Sequence, residues 1–172
     1  MALEVGVNSY VSLDEAEAYF ADRINVGSWT EADDLTKEQA LVTAAKQLNL
    51  TRWIGVIADK SQTLAFPRIG SYYEPLYNDV VELDGTIVPV RISTANMEQA
   101  YHLINNDDVL DSSGSPNRIK VDVIEIEGLQ SGAARIPVMS NTVSDLITPL
   151  MYESGMTGYG SGRPAGAWWR AN

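Results

Sequence analysis

Apolar residues recur at helical spacing in four stretches of this 172-residue chain, and shorter β-rich runs lie between them. Ser12-Leu13-Asp14-Glu15 has the spacing of a capping box, with Ser12 as N-cap and Glu15 reaching back. Leu13, Ala16, Tyr19 and Phe20 then share one face, which predicts a helix over 13–23 after an extended segment at 1–11. Asn25 to Asp34 reads as a loop carrying Gly27 and Trp29. Thr36-Lys37-Glu38-Gln39 repeats the capping logic, and Leu41, Ala44, Ala45 and Leu48 predict a second helix running to about Thr51. Trp53, Ile54 and Gly55 end it.

Beyond Ser61–Arg68 (SQTLAFPR) the chain is turn-rich, with Gly70, Tyr72, Tyr73, Pro75 and Tyr77. In VVELDGTIV, Asp84-Gly85 stands between two β-rich runs, a strong local hairpin signal. A third helix is expected over Val90–Ile104, supported by Ala95, Ala100, Leu103 and Ile104 but interrupted on its face by Ile92, Asn96 and Gln99. Asn105 to Pro116 is a polar, acidic loop. Arg118 to Glu127 alternates as far as Val123 and shifts phase at Ile124, as a strand with a bulge would, with Ala133–Met139 as its candidate partner. Asn141–Tyr152 makes a last short helix that Pro149 should shorten or kink.

The final twenty residues, Glu153 to Asn172, break this pattern. They contain five glycines and no hydrophobic periodicity, and they carry Trp168, Trp169 and Arg170. Such a segment is not expected to order by itself. Adjacent tryptophans beside an arginine are the residue types that dominate binding hot spots, so a tail that orders in a partner's groove is expected. The division this predicts is a body, 1–152, and a docking tail, 153–172. A frayed end whose tryptophans fold back on the body is the competing reading.

The chain carries 12 basic and 23 acidic residues, a net charge of −11. Setting aside Glu153, Arg163 and Arg170 leaves a body with 10 basic and 22 acidic residues, net −12. No cluster of Lys and Arg of the kind that neutralises phosphates is present, which argues against wrapping DNA and permits a surface past which DNA slides without sticking. Cysteine is absent, which excludes disulfides and thiolate metal sites. No run is long enough to span a bilayer, and the first residues lack a secretion signal's basic region.

Catalytic chemistry finds little purchase. His102 is the only histidine and falls within the third helix, where an ordinary helix-face role is expected. The acidic pairs Asp33-Asp34, Asp107-Asp108 and Glu125/Glu127 lack metal-loop spacing and read as solvated charge. Gly158-Tyr159-Gly160-Ser161-Gly162 does not join a strand to a helix and is a linker, not a phosphate cradle. The expectation is a protein with no enzymatic activity, cofactor or metal. Trp53, Phe66, Tyr72, Tyr73 and Tyr77 are the residues that could stack on bases, but Arg52, Lys60 and Arg68 are matched there by Asp59, Glu74 and Asp79. A core and subunit-interface role is expected for them.

The order of these features resembles a family of tailed-phage proteins. The resemblance is carried by SYVSLDEAEAYF (Ser9–Phe20), the loop tryptophan Trp29, KEQALVTAAKQLN, the aromatic–proline–arginine phrase SQTLAFPR (Ser61–Arg68) and the DG turn with VP (Asp84–Pro89), over roughly residues 8–152. Members are often labelled single-stranded-DNA-binding proteins similar to the primosomal protein DnaT, and many look like head–tail connector, or adaptor, proteins. The resemblance implies a mainly helical fold: a small bundle of about four helices with a β-hairpin or short antiparallel strands and an extended C-terminal tail. It further implies a virion neck protein, assembled in the host cytoplasm, that forms a ring of twelve copies beneath the portal. Its partners would be the portal, neighbouring copies and a tail or second neck protein below, with DNA passing through untouched during ejection.

On that view Arg163, Trp168, Trp169 and Arg170 would anchor the tail on the portal. Asp107, Asp108 and Asp111 are candidates for an acidic lumen or rim. The family label implies the alternative, a replication accessory that binds single-stranded DNA through the 53–77 aromatics. The two make opposite electrostatic demands, and an acidic body favours the connector.

Overall fold

The computed structural model describes residues 2–106, 118–121, 124–127 and 139–152. The fold is mainly helical, with four helices of at least seven residues and a three-stranded antiparallel sheet. The tail 153–172, with Arg163, Trp168, Trp169 and Arg170, and the acidic loop with Asp107, Asp108 and Asp111 lie outside the described residues.

Helix α1 (Leu13–Ala21) opens with the expected capping box: Ser12 accepts from the Glu15 amide, and the Glu15 carboxylate accepts from the Ser12 amide at 2.7 Å. A short helix, α2 (Gly27–Glu31), occupies the stretch expected to be loop, and it exists to bury Trp29 against Phe20, 4.5 Å away between ring centroids. Helix α3 (Asp34–Asn49) starts earlier than the Thr36 box predicts. Asp33 is the N-cap and accepts from the Thr36 amide at 2.8 Å, because aspartate caps at least as well as threonine and stands three residues ahead.

The sheet corrects the reading of the middle of the chain. β1 (Val56–Ile57), β2 (Arg68–Glu74) and β3 (Asp79–Asp84) pair antiparallel in that order, so the stretch expected to be turns is the central strand. The hairpin turns at 75–78, where Asn78 takes a positive φ of 53°, and not at Asp84-Gly85. Asp84 instead accepts from the Thr86 amide and hydroxyl at 2.8 Å each, an Asx turn that leads the chain off the sheet to Pro89 and the next helix. Aromatic and apolar residues of β2 and β3 that face the helices outweigh the glycine and proline signals around them.

Helix α4 (Val90–Asn105) crosses α2, α3 and α5 (Asn141–Ile147). Ile92, Asn96 and Gln99, the interruptions in its apolar pattern, are all fully buried. Asn96 Nδ2 lies 3.5 Å from Ser9 Oγ, and Gln99 Nε2 donates to Gln47 Oε1 at 2.7 Å. These polar residues lie in α4 alongside two apolar clusters, one around Phe66, Tyr72, Ile92 and Ile147 and the other around Phe20, Trp29, Leu41 and Met97. α5 ends in a 3₁₀ turn, Thr148–Leu150, with Pro149 in its first turn, as expected of a helix shortened by proline.

Residues 118–127 form two strands, β4 (Arg118–Val121) and β5 (Ile124–Glu127), rather than one bulged strand. Val121 is paired with Ile124, so the phase shift in the sequence marks a chain reversal. The partner proposed for them at Ala133–Met139 falls outside the described residues except for Met139.

Candidate functional site

Nucleic-acid stacking requires exposed rings beside free cations. Of the five candidate aromatics, Trp53, Phe66 and Tyr72 belong to the core. Trp53 donates its indole N–H to the Leu48 carbonyl at 3.1 Å and meets Phe66 edge-on, 5.1 Å between centroids. Tyr72 donates to Glu74 at 3.2 Å. Tyr73 is half-buried and bonded to Asn78, which leaves Tyr77 as the one of the five that stands open to solvent, 69% exposed. The five rings are therefore split between the interior and the hairpin and do not form one platform.

Four of the described cations are equally committed. Arg68, of the Phe-Pro-Arg phrase, donates to three carbonyls: Ile54 and Gly55 at 2.7 Å each and Ala65 at 3.3 Å. It fastens the loop before β1 to the start of β2, which the cis Phe66–Pro67 peptide bond precedes. Arg91 forms two hydrogen bonds with the Glu74 carboxylate and a third, 3.4 Å long, with the Leu146 carbonyl. That ion pair, opposed by burial, holds the Glu74 carboxyl down to about 2. Arg23 pairs with buried Glu98, which also accepts from Tyr19 at 2.6 Å. Burial, reinforced by that carboxylate, pushes the Tyr19 hydroxyl up to about 12. Lys37 pairs with Glu17 at 2.6 Å and lies over the Trp29 ring, 5.8 Å from its centroid. Among the described side chains, Lys46, Arg52 and Lys60 are exposed and make no ion pair.

A cleft of about 340 Å³ opens between the loops at 49–57 and 62–65. Its polar side chains serve the fold: Asn49 accepts from the Ala65 amide and the Tyr10 hydroxyl, and Gln62 donates to the Leu64 and Pro67 carbonyls. His102 is half-buried on α4, with Nδ1 3.1 Å from the Asn106 amide nitrogen. Asp33 is engaged as a helix cap, and Glu125 and Glu127 stand opposite Lys120 and Arg118 in the β4–β5 register. Among the described residues no group of three or more His, Asp or Glu is placed to hold a metal ion. No described helix is long and apolar enough to cross a membrane.

The ion pairs Glu74–Arg91 and Glu98–Arg23 escape sequence reasoning, because their partners lie 17 and 75 positions apart and no local pattern joins them. No curated protein and no solved structure matches the chain. A family model described as "Putative DnaT-like ssDNA binding protein" matches residues 2–164, and the chain belongs to that family.

Proposed function

We propose that this protein is a structural, non-catalytic head–tail connector of a tailed-phage virion, a ring subunit that sits below the portal and docks on it through residues 153–172. The observation that carries the reading is the use to which the described cations and aromatics are put. Arg23, Lys37, Arg68 and Arg91 are bonded within the fold, and Trp53, Phe66 and Tyr72 are core residues. A body with net charge −12 in which Arg23, Arg68 and Arg91 are bonded within the fold suits a channel wall that must not retain DNA. The tail composition supplies anchors, Arg163, Trp168, Trp169 and Arg170, and copies repeated around a ring would dock with high avidity. Partners below the ring, and DNA passing without tight binding, complete the proposal.

The family description favours a second reading, binding of single-stranded DNA. Two experiments separate them. Purified chain is mixed with the portal ring of the same genome and viewed by negative stain, beside a version ending at Ser154. Density added at one end of the portal by the full chain alone supports the connector; density from neither removes its main support. In parallel, binding to a single-stranded oligonucleotide is titrated with salt. Tight binding that weakens steeply with salt establishes the second reading, whereas negligible binding at low salt is the connector's expectation.

A further inference from the structure

Two strand edges of this fold are open, and their sequences match. In the order β1–β2–β3 the far side of β3 has no partner strand among the described residues, and β4 is likewise open on the side away from β5. Along β3, Val81 and Leu83 stand on the side that packs against the helices, while Val80, Glu82 and Asp84 are exposed on the opposite side. Register and alternation sort the β4–β5 hairpin in the same way. Arg118 opposite Glu127 and Lys120 opposite Glu125 share one face, and Ile119 opposite Ile126 and Val121 opposite Ile124 share the other. A two-stranded hairpin is marginal by itself and gains stability from a third strand that extends its apolar face.

Laid antiparallel along β3, strand β4 fits in one register. Lys120 falls opposite Glu82 and Arg118 opposite Asp84 on the outer side, with Ile119 opposite Leu83 and Val121 opposite Val81 on the helix side. Each base then stands between two carboxylates, one from β3 and one from β5. A slip of one residue would set isoleucine against carboxylate. Like edges do not match: two β3 edges oppose carboxylates and two β4 edges oppose bases. Within one copy the two sheets are separate, so β3 stays an open edge. Arg118 follows Asn106 by twelve positions and Met139 follows Glu127 by twelve, so each connection spans up to about 43 Å. That reach is enough to set the hairpin on a neighbouring molecule. We infer that the open edge of β3 receives strand β4 of a second copy, in this register. Two copies that exchange hairpins reciprocally and copies that pass them around a ring both use this contact, and neither arrangement requires the portal.

The full chain has no cysteine, which makes the test direct. A Glu82→Cys chain and a mass-tagged Lys120→Cys chain are mixed at high protein concentration under mild oxidation. The mixed disulfide should predominate over either self-linked dimer. Ile119→Cys in place of Lys120→Cys should lose it, because position 119 stands on the other face. Amide hydrogen exchange on the unaltered chain supplies a second arm that no misfolded variant can spoil. Residues 79–84 and 118–121 should gain protection together as protein concentration rises.

Self-linked dimers that form as readily as the mixed one, or no product at all, overturn the inference. Protection of the two strands that does not change with concentration does the same. A chain carrying both Glu82→Cys and Lys120→Cys tests the remaining occupant. An internal cross-link in the monomer would mean that the hairpin of the same copy covers β3, and the contact between copies falls; linkage between chains alone upholds it. None of these outcomes bears on portal docking, which the negative-stain experiment judges.

Discussion

Arg91, in the first turn of α4, grips both carboxylate oxygens of Glu74 at the end of β2, with Nε 2.5 Å from Oε2. The Glu74 side chain is 5% exposed and that of Arg91 22%. Because Arg91 also reaches the Leu146 carbonyl, one guanidinium joins the sheet, α4 and α5. Arg91→Ala would leave a buried carboxylate uncompensated. Breaking such pairs costs roughly 3–5 kcal/mol when both members are fully buried, and the partial exposure of Arg91 puts the loss near the lower figure. Urea denaturation should show it; a change within experimental error would mean that water replaces the guanidinium at no cost.

The same pair fixes the acid response. Glu74 is held at about 2 in the folded chain against an ordinary value of 4.5, so its contribution is fully present above 4.5 and is lost as pH falls toward 2. Thermal melts between pH 6 and 2 should steepen across that window, and Glu74→Gln should flatten the slope. An unchanged slope in the variant would assign acid sensitivity elsewhere.

On the alkaline side the sign reverses. Burial raises the Tyr10 hydroxyl from 10.0 to about 12, and it donates to Asn49 at 3.0 Å. The stabilisation is present below pH 10 and lost as pH rises through 12, since only the neutral phenol fits the site. Tyr10→Phe should be less stable at neutral pH by about 1 kcal/mol and less sensitive between pH 10 and 12. Equal alkaline slopes for the two proteins would refute this.

Gly55 allows close backbone contact at the sheet's base. A Cβ on Gly55, whose φ is +68°, would lie 2.4 Å from the Ile69 carbonyl oxygen. Gly6 has a similar φ, +79°, but nothing within 4 Å of its Cβ position. Gly6→Ala should therefore cost only the conformational strain, about 1 kcal/mol, and Gly55→Ala distinctly more. Comparable melting temperatures for the two variants would show that the loop shifts freely away from Ile69.

For the tail, Trp168→Ala with Trp169→Ala should leave the melting temperature unchanged. Each substitution should weaken portal docking by about 30-fold if the two are hot-spot anchors. A drop in melting temperature without loss of docking would place the tryptophans in the body instead.

Much of the helical scaffold was legible, because capping boxes and apolar spacing are local. Ser12 and Glu15 act as their spacing implies, and α4 and the proline-shortened α5 fall where periodicity places them. What failed was decided by contacts distant in sequence. Trp29 lies in a helix because Phe20 offers it a wall, and Asn96 and Gln99 are buried because Ser9 and Gln47 meet them. Asp84-Gly85 is a turn, as its chemistry suggests, but the strand that pairs with β3 lies before it. Of the candidate site, the core role of Trp53, Phe66 and Tyr72 was readable from the shortage of nearby cations. The structural duty of Arg68 was not.

The chain's last described residues are tied down. Met151 bridges to Trp53, and the Tyr152 amide donates to the Arg52 carbonyl at 2.9 Å. Whatever follows is therefore moored at the end of α3, and the mooring sets a radius. Trp168 follows Tyr152 by sixteen positions, and even a fully extended chain covers no more than about 58 Å over that length. Any surface the tryptophans engage, on this copy or on another molecule, must come within that circle drawn about Arg52.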